Sequence, residues 1–310
     1  MKLIKKLFWN ANENRLRTLW RILIFLAIVA IIVNPIILFL DHFNEFLLNQ
    51  TIINLLVAIG FFISLVITAK YIDKCSLQKY GVYFNYDSFS HFLKGTLIGG
   101  LLISSVVLLS WVLGLISIKS TFYTSPESNS VFLVLILGQC IRYVFGSIFE
   151  ELFTRAYLIK NISEGIRNEI LTDQKAIIIT CIFTSLLFGI LHIFNPDYNV
   201  VASINLFLVG LLFAFIYIYT GDLSWPIGLH FGWNIFQNII FGFPNSGKIT
   251  EVSFITFNLH QSELLNGGNF GLEGSLLSTI VLVLAIFVLI FIVRKTNPDL
   301  NSKLLLFKRS

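Results

Sequence analysis

Gln139, Arg142, Glu150, Glu151 and Arg155 stand in a stretch that is otherwise apolar enough to cross a membrane, GQCIRYVFGSIFEELFTRAYLI. His192 closes a second apolar run, FGILHIFNP, and His230 and Asn234 lie inside a third, SWPIGLHFGWNIFQN. An ionisable side chain within a span costs at least about 2.5–3.5 kcal/mol on insertion scales, so such groups mark function by default. Helical spacing sorts them. Glu151 and Arg155 are four residues apart with the acid on the N-terminal side, the favourable order for an ion pair. Glu150 lies about 100° further round the helix and has no charge partner there. A lone carboxylate out of water suits general acid–base work. His230 and Asn234 share one helix face and could donate to a single oxygen, as an oxyanion hole requires. His192 is then free to hold a water together with Glu150. The chemistry these types permit is hydrolysis by an activated water.

Hydrophobic helices must carry these groups. The chain has 310 residues, of which 56% are hydrophobic and 13% charged, with a mean hydropathy of +0.82; a soluble domain would hold nearly twice that charged share. At about 20 residues per crossing, eight spans are expected, near 19–40, 52–69, 96–117, 131–158, 176–194, 200–219, 225–242 and 275–293. The fold class is therefore all-α, a polytopic membrane protein. The last three polar segments fall on the fourth, fifth and seventh spans, which should enclose a conical, partly hydrated cavity. Counting about 1.5 Å per residue puts Glu150 ~12 Å from the cytoplasmic end of the fourth span and His192 ~24 Å from the start of the fifth. For the two to meet, those boundaries must move or the helices must tilt.

Charge placement orients the chain. With a cytoplasmic N-terminus, 18 of the 22 lysines and arginines fall on the inside, Lys119 and Lys248 outside, and Arg142 and Arg155 within the fourth span. The positive-inside rule thus expects both termini in the cytoplasm and an even number of spans, in a protein of the cell membrane. The first apolar run reads as a retained anchor, since no small-residue cleavage site follows it. Segment 71–95, mixed polar and aromatic, is expected along the cytoplasmic interface, and 243–274 as a long outside loop without recognisable chemistry. No basic run with interleaved aromatics invites nucleic acid. Cys75, Cys140 and Cys181 have neither disulfide nor metal spacing.

The three motifs together, Glu150-Glu151-x-x-x-Arg155, Phe188-x-x-x-His192 and His230-x-x-x-Asn234, resemble the CPBP family of intramembrane proteases, the CAAX prenyl proteases and bacteriocin-processing enzymes also called Abi. Asn195-Pro196 and Trp225-Pro226-Ile227-Gly228-Leu229 resemble the flanks. Ala156 stands where the family often has glycine. The likeness covers about 130–242, a protease core between N-terminal spans with an interfacial segment (1–129) and an outside loop, last span and basic tail (243–310). It implies that Glu150 and His192 activate water, that His230 and Asn234 hold the oxyanion, and that Glu151 and Arg155 hold the fourth span in place, with Phe188 packing beside the site. It implies a peptide or protein substrate at the bilayer and no cofactor, although two histidines and a glutamate could hold zinc. The alternative is an immunity or scaffold protein that keeps the framework without proteolysis.

Other polar and aromatic residues have plainer expectations. Arg142, two turns before Glu150, is expected in a helix–helix hydrogen bond or snorkelling. His42, His91 and His260 read as interfacial or solvated, Trp225, Tyr217 and Tyr219 as belt residues, and Gly210, Gly228 and Gly232 as sites of close helix packing.

Overall fold

The computed structural model describes residues 7–11, 13–40, 46–126, 131–167, 170–260 and 263–296. Lys2, Lys5, Lys6, His42 and the tail with Lys303, Lys308 and Arg309 lie outside the described residues. The chain is an all-α polytopic membrane protein. Its helices are α1 Thr18–Leu40, α2 Phe46–Ile67, α3 Tyr86–Val112, α4 from Phe132 to Ile166, α5 Asp173–Ile190, α6 Val200–Thr220, α7 Ser224–Ile235 and α8 Leu276–Thr296. All but α7 are long and apolar enough to cross a membrane. A π-helical turn, Phe236–Ile240, extends α7, and another, Leu152–Ile159, interrupts α4 directly after Glu151. Single π turns inside α-helices often occur at functional sites.

Two expected boundaries move. The fourth span continues to Ile166 rather than ending near 158, and the fifth starts at Asp173. Glu150 then sits about 24 Å and His192 about 28 Å from the basic ends of their helices, at 1.5 Å per residue. The mismatch read from the sequence disappears. The interfacial segment is also shorter than 71–95, because α3 already begins at Tyr86. Asn85 caps it by accepting from Ser88 N, and Asp87 follows in the first turn, where the helix dipole favours an acid.

No strand was expected, but β3 (Ile116–Thr124) pairs antiparallel with β4 (Val252–Leu259) across more than a hundred residues of sequence. A two-residue pair, β1 Trp9–Asn10 with β2 Arg15–Leu16, lies before α1. The β3–β4 pairing decides whether short α7 crosses. β3 follows α3 and β4 follows α7, so these two helices end on the same face of the bundle. Their contacts agree: Gly95 packs on Trp225 and Gly228, Gly99 on Leu229 and Trp233, and Gly100 on Phe236, so both helices run in the same direction. Short α7 with its π-helical extension thus runs between the same two ends of the bundle as α3. The contact is very close, since a Cβ on Gly99 would land on the carbonyl of Leu229 and one on Gly232 on that of Thr96. Gly95-x-x-x-Gly99 and Gly228-x-x-x-Gly232 therefore form the small-residue seam that lets backbones touch in lipid.

The two ends of the bundle differ. At the end opposite β3–β4, α1, α2 and α4 are tied by buried ions. Arg21 Nη1 pairs with Asp73 Oδ1 at 2.8 Å and reaches Glu164 at 3.5 Å, Tyr80 donates to Asp73 Oδ2, and Glu164 also takes Arg15 at 2.7 Å and Lys160. His91 belongs to this end and is not simply solvated: its Nδ1 lies 2.8 Å from Asp222 and its ring stacks on Trp225. Tyr217 is no belt residue; it is fully buried with Phe25, Tyr157 and Cys181 in a core between that end and the middle of the bundle.

Candidate active site

The second buried charge cluster lies midway along the bundle, where α4, α5, α6 and α7 meet. Arg155 Nε reaches Glu151 Oε2 at 3.1 Å, as the four-residue spacing requires. The other oxygen of Glu151 accepts from His230 Nδ1 at 3.0 Å. Glu151 thus does more than hold the fourth span: it links α4 to α7 and orients the imidazole. With Nδ1–H on the carboxylate, Nε2 points away from it. Arg155, almost fully buried, lies flat over Phe188 (4.5 Å to the ring centroid) and Phe213 (5.5 Å), favourable where water is excluded.

Phe188 also explains the spacing of the second motif. Its carbonyl accepts from His192 Nδ1 at 2.8 Å, and its ring meets the imidazoles of His192 (centroids 4.9 Å apart) and His230 (6.0 Å). His192 lies in the turn just after α5, where its backbone N–H bonds to Gly189. Donation from Nδ1 leaves Nε2 of His192 as the acceptor.

Glu150 is left over. Its Oε2 meets no hydrogen-bond donor and faces His230 Nε2 at 3.9 Å, too long for a hydrogen bond. Glu150, Phe188, His192, His230 and Asn234 line one cleft, of about 520 Å³ counting its open mouth. Glu151 and Arg155 lie behind its wall. The residues picked from three separate motifs therefore converge, and the cleft also takes walls from α6 through Leu206, Val209 and Phe213.

The loop from which no chemistry was expected lines the cleft. Asn245, Ser246, Lys248 and Glu273 all line it. Asn245 and Lys248 exchange backbone hydrogen bonds around Ser246 (φ 48°) and Gly247 (φ 79°), a two-residue turn with both central residues left-handed. A Cβ on Gly247 would collide with the Pro196 carbonyl, so this tip rests on the Asn195–Pro196 turn. Asn245 Nδ2 donates to Asn234 Oδ1 at 2.9 Å. That bond assigns the amide: Oδ1 of Asn234 is engaged, and its N–H₂ group remains for the cleft. Glu273 accepts from both N and Oγ of Ser246, at 2.8 and 2.7 Å, while Asn205 on α6 holds its carbonyl. Burial pushes the Glu273 carboxyl above its ordinary range, opposed by the Ser246 donors and the imidazoles of His192 and His230. The sequence signal for this loop was only the turn pair Ser246-Gly247.

Arg142 does not line the cleft. It is buried on α4, its carbonyl accepts from Asn54 of α2, and its guanidinium lies 5.9 Å from the Tyr143 ring centroid. His260 bonds Ser117 on the neighbouring strand β3. Among the described residues no group of three His, Cys, Asp or Glu side chains is placed to hold a metal ion.

Residues 129–236 match the family model of Rce1-like type II CAAX prenyl endopeptidases. This is the protease family that the three motifs resemble, and the matched segment carries Glu150, Glu151, Arg155, Phe188, His192, His230 and Asn234. It ends before the hairpin that lines the cleft. No curated protein and no solved structure matches the chain.

Proposed function

We propose that the chain is an intramembrane endopeptidase that hydrolyses peptide bonds of membrane-associated peptides or proteins by a metal-free glutamate mechanism. The observation that carries this reading is the Glu150 carboxylate, whose Oε2 meets no hydrogen-bond donor and which lines the same cleft as His192, His230 and Asn234. The match to a peptidase family supports it.

In this mechanism a water held between Glu150 and Nε2 of His192 attacks the scissile carbonyl. Glu150 takes its proton, and the new C–O bond leaves a negative oxygen. His230, protonated on both nitrogens, donates to that oxygen from Nε2 while Nδ1–H stays on Glu151, and Asn234 donates from its amide. An imidazolium here balances the cluster, with Arg155 and His230 against Glu150 and Glu151. Collapse of the intermediate breaks the C–N bond, and Glu150 passes its proton to the leaving amine. Donors fixed in advance around a developing oxyanion, out of water, commonly supply the largest part of such a barrier reduction. Phe188 and Phe213 keep Arg155 in place and water out of the floor.

Both termini on the cytoplasmic side belong to the same proposal, on the strength of the lysine and arginine distribution. Purified protein in detergent should release product from a quenched peptide, and Glu150→Ala and His230→Ala should abolish release. Equal cleavage by wild type and Glu150→Ala would overturn the peptidase and leave the scaffold alternative. Activity that a chelator removes and zinc restores would replace the metal-free route.

A further inference from the structure

The cleft has a side. Five of its lining residues, Asn195, Asn245, Ser246, Lys248 and Glu273, come from the α5–α6 turn and the segment between α7 and α8. These connections lie at the end of the bundle that carries β3 and β4. Among the described residues of the connections at the opposite end, 74–85, 167, 170–172 and 221–223, none contributes to it. On that opposite side the floor is solid. Arg155 lies behind the wall, and below it Leu152, Ala156, Cys181, Ala214 and Tyr217 are all almost fully buried in one apolar cluster. The ionic ties of Arg21, Asp73 and Glu164 close the bundle beneath that cluster.

Contacts independent of any charge rule set the directions of seven helices, each relative to a neighbour. α2 runs with α4, since Thr51 bonds the Gly138 carbonyl and Asn54 that of Arg142. α3 runs with α7 through the glycine seam. α5 runs against α6, with Gly189 on Ser203 and Phe207 but Gly210 on Ser185. α6 runs with α8, from Asn205–Thr279 to Tyr219–Thr296. The mouth of the cleft therefore shares its end with the loops that hold only Lys119 and Lys248, while the other connections hold the remaining loop cations. A bias this one-sided sets orientation.

We infer that the cleft opens on the non-cytoplasmic face, so that its substrates are peptides exposed on the far side of the membrane, after or during export. The solid floor and the loop-lined mouth select that face. This substrate class rests on the peptidase reading above, but the sidedness of the cleft does not.

The test separates the two. In a full-length chain with Cys75, Cys140 and Cys181 replaced by serine, single cysteines are placed at Ile249 and Lys119 on the mouth end and at Gln78 on the other. Ile249 and Gln78 are both exposed. A membrane-impermeant maleimide should label Ile249→Cys and Lys119→Cys in intact cells, and Gln78→Cys only after permeabilisation. The reverse pattern overturns the inference. A charged, impermeant quenched peptide that the detergent-solubilised protein cleaves is then added to sealed vesicles. Right-side-out vesicles should cleave it, and inverted vesicles only once opened by detergent. Cleavage by intact inverted vesicles overturns the substrate class. Failure of the detergent-solubilised protein to cleave any peptide would overturn the peptidase and the substrate class with it, while the labelling would still stand for the cleft.

Discussion

Two clusters of buried charge, built from similar residues on overlapping helices, end in different states of completion. At the basic end Arg15, Arg21, Lys160, Asp73 and Glu164 share their charges so that both carboxylates are engaged. Tyr80 adds a donor to Asp73, and the Arg21 carbonyl accepts from Tyr157. In the middle of the bundle Glu151 pairs with Arg155 at 3.1 Å and with His230 at 3.0 Å, while Oε2 of Glu150 beside them meets no hydrogen-bond donor and lies 3.9 Å from the His230 imidazole, at the wall of the cleft. A charge removed from water is costly unless compensated. Carboxylates engaged at every oxygen describe a clamp. A deficit at one oxygen, placed against an imidazole and a cleft, describes a reactive group whose missing partner is the substrate and its water.

The contrast can be broken by neutralising one carboxylate in each cluster. Glu150→Gln should cut kcat by about 10²–10⁴-fold, the usual contribution of a general acid–base group, with no fall in thermal stability measured in detergent. Asp73→Asn should do the opposite. It strands Arg21, which Glu164 touches only at 3.5 Å, and should lower stability by about 3 kcal/mol, the lower end for breaking a buried pair. The kcat of the fraction that stays folded should be unchanged. If Asp73→Asn spared stability and destroyed catalysis, the division between clamp and site would be wrong.

A finer cut lies in the loop. Asn245→Ala removes the donor that holds Asn234 Oδ1, so the Asn234 amide loses its assigned orientation without losing its chemistry. Direct loss of an oxyanion donor costs about 10²–10³-fold in kcat, and loss of its support should cost less, about tenfold. KM should change little. Kinetics of Asn245→Ala beside Asn234→Ala and the double variant would check it, because an indirect role predicts that the double variant is no worse than Asn234→Ala alone.

The unequal legibility of the two clusters in the sequence has a physical basis. Glu151–Arg155 and His230–Asn234 were readable because a helix brings residues four apart to one face, and apolar surroundings made each polar residue conspicuous. The convergence of three spans on one cleft followed from those motifs and from the resemblance. Glu151 reaching His230 was not readable, since nothing local relates α4 to α7. The same holds for the pairing of β3 with β4, whose partners Ile116 and Leu259 are joined only by the tertiary fold. Only the start of β3, Ile116 and Ser117, overlaps the expected third span, because isoleucine satisfies a hydropathy count as well as a strand preference. Asn245 and Glu273 were missed for a further reason: Asn, Ser and Gly are ordinary in a loop, and only contact with the cleft gives them a role. The glycine pairs of α3 and α7 were half readable, with Gly228 and Gly232 foreseen, Gly95 concealed in the segment assigned to the interface and Gly99 not singled out in the third span.

Glu273 offers the smallest effect and the sharpest contrast with the clamp, because burial outweighs the groups that oppose it. Its carboxyl is held above the ordinary range by burial, and the Ser246 donors and nearby imidazoles only partly oppose this. For an acid whose folded pKa is raised, the native state binds more protons than the unfolded state between the ordinary glutamate pKa and the raised value. Stability must then fall as pH rises through that window. Glu273→Gln keeps an oxygen acceptor for Ser246 and removes the ionisation, so the thermal stability of the variant relative to wild type should improve steadily from acid to neutral pH. Identical pH profiles for the two proteins would mean that Glu273 has found a compensating charge after all, and that the far wall of the cleft is as complete as the clamp.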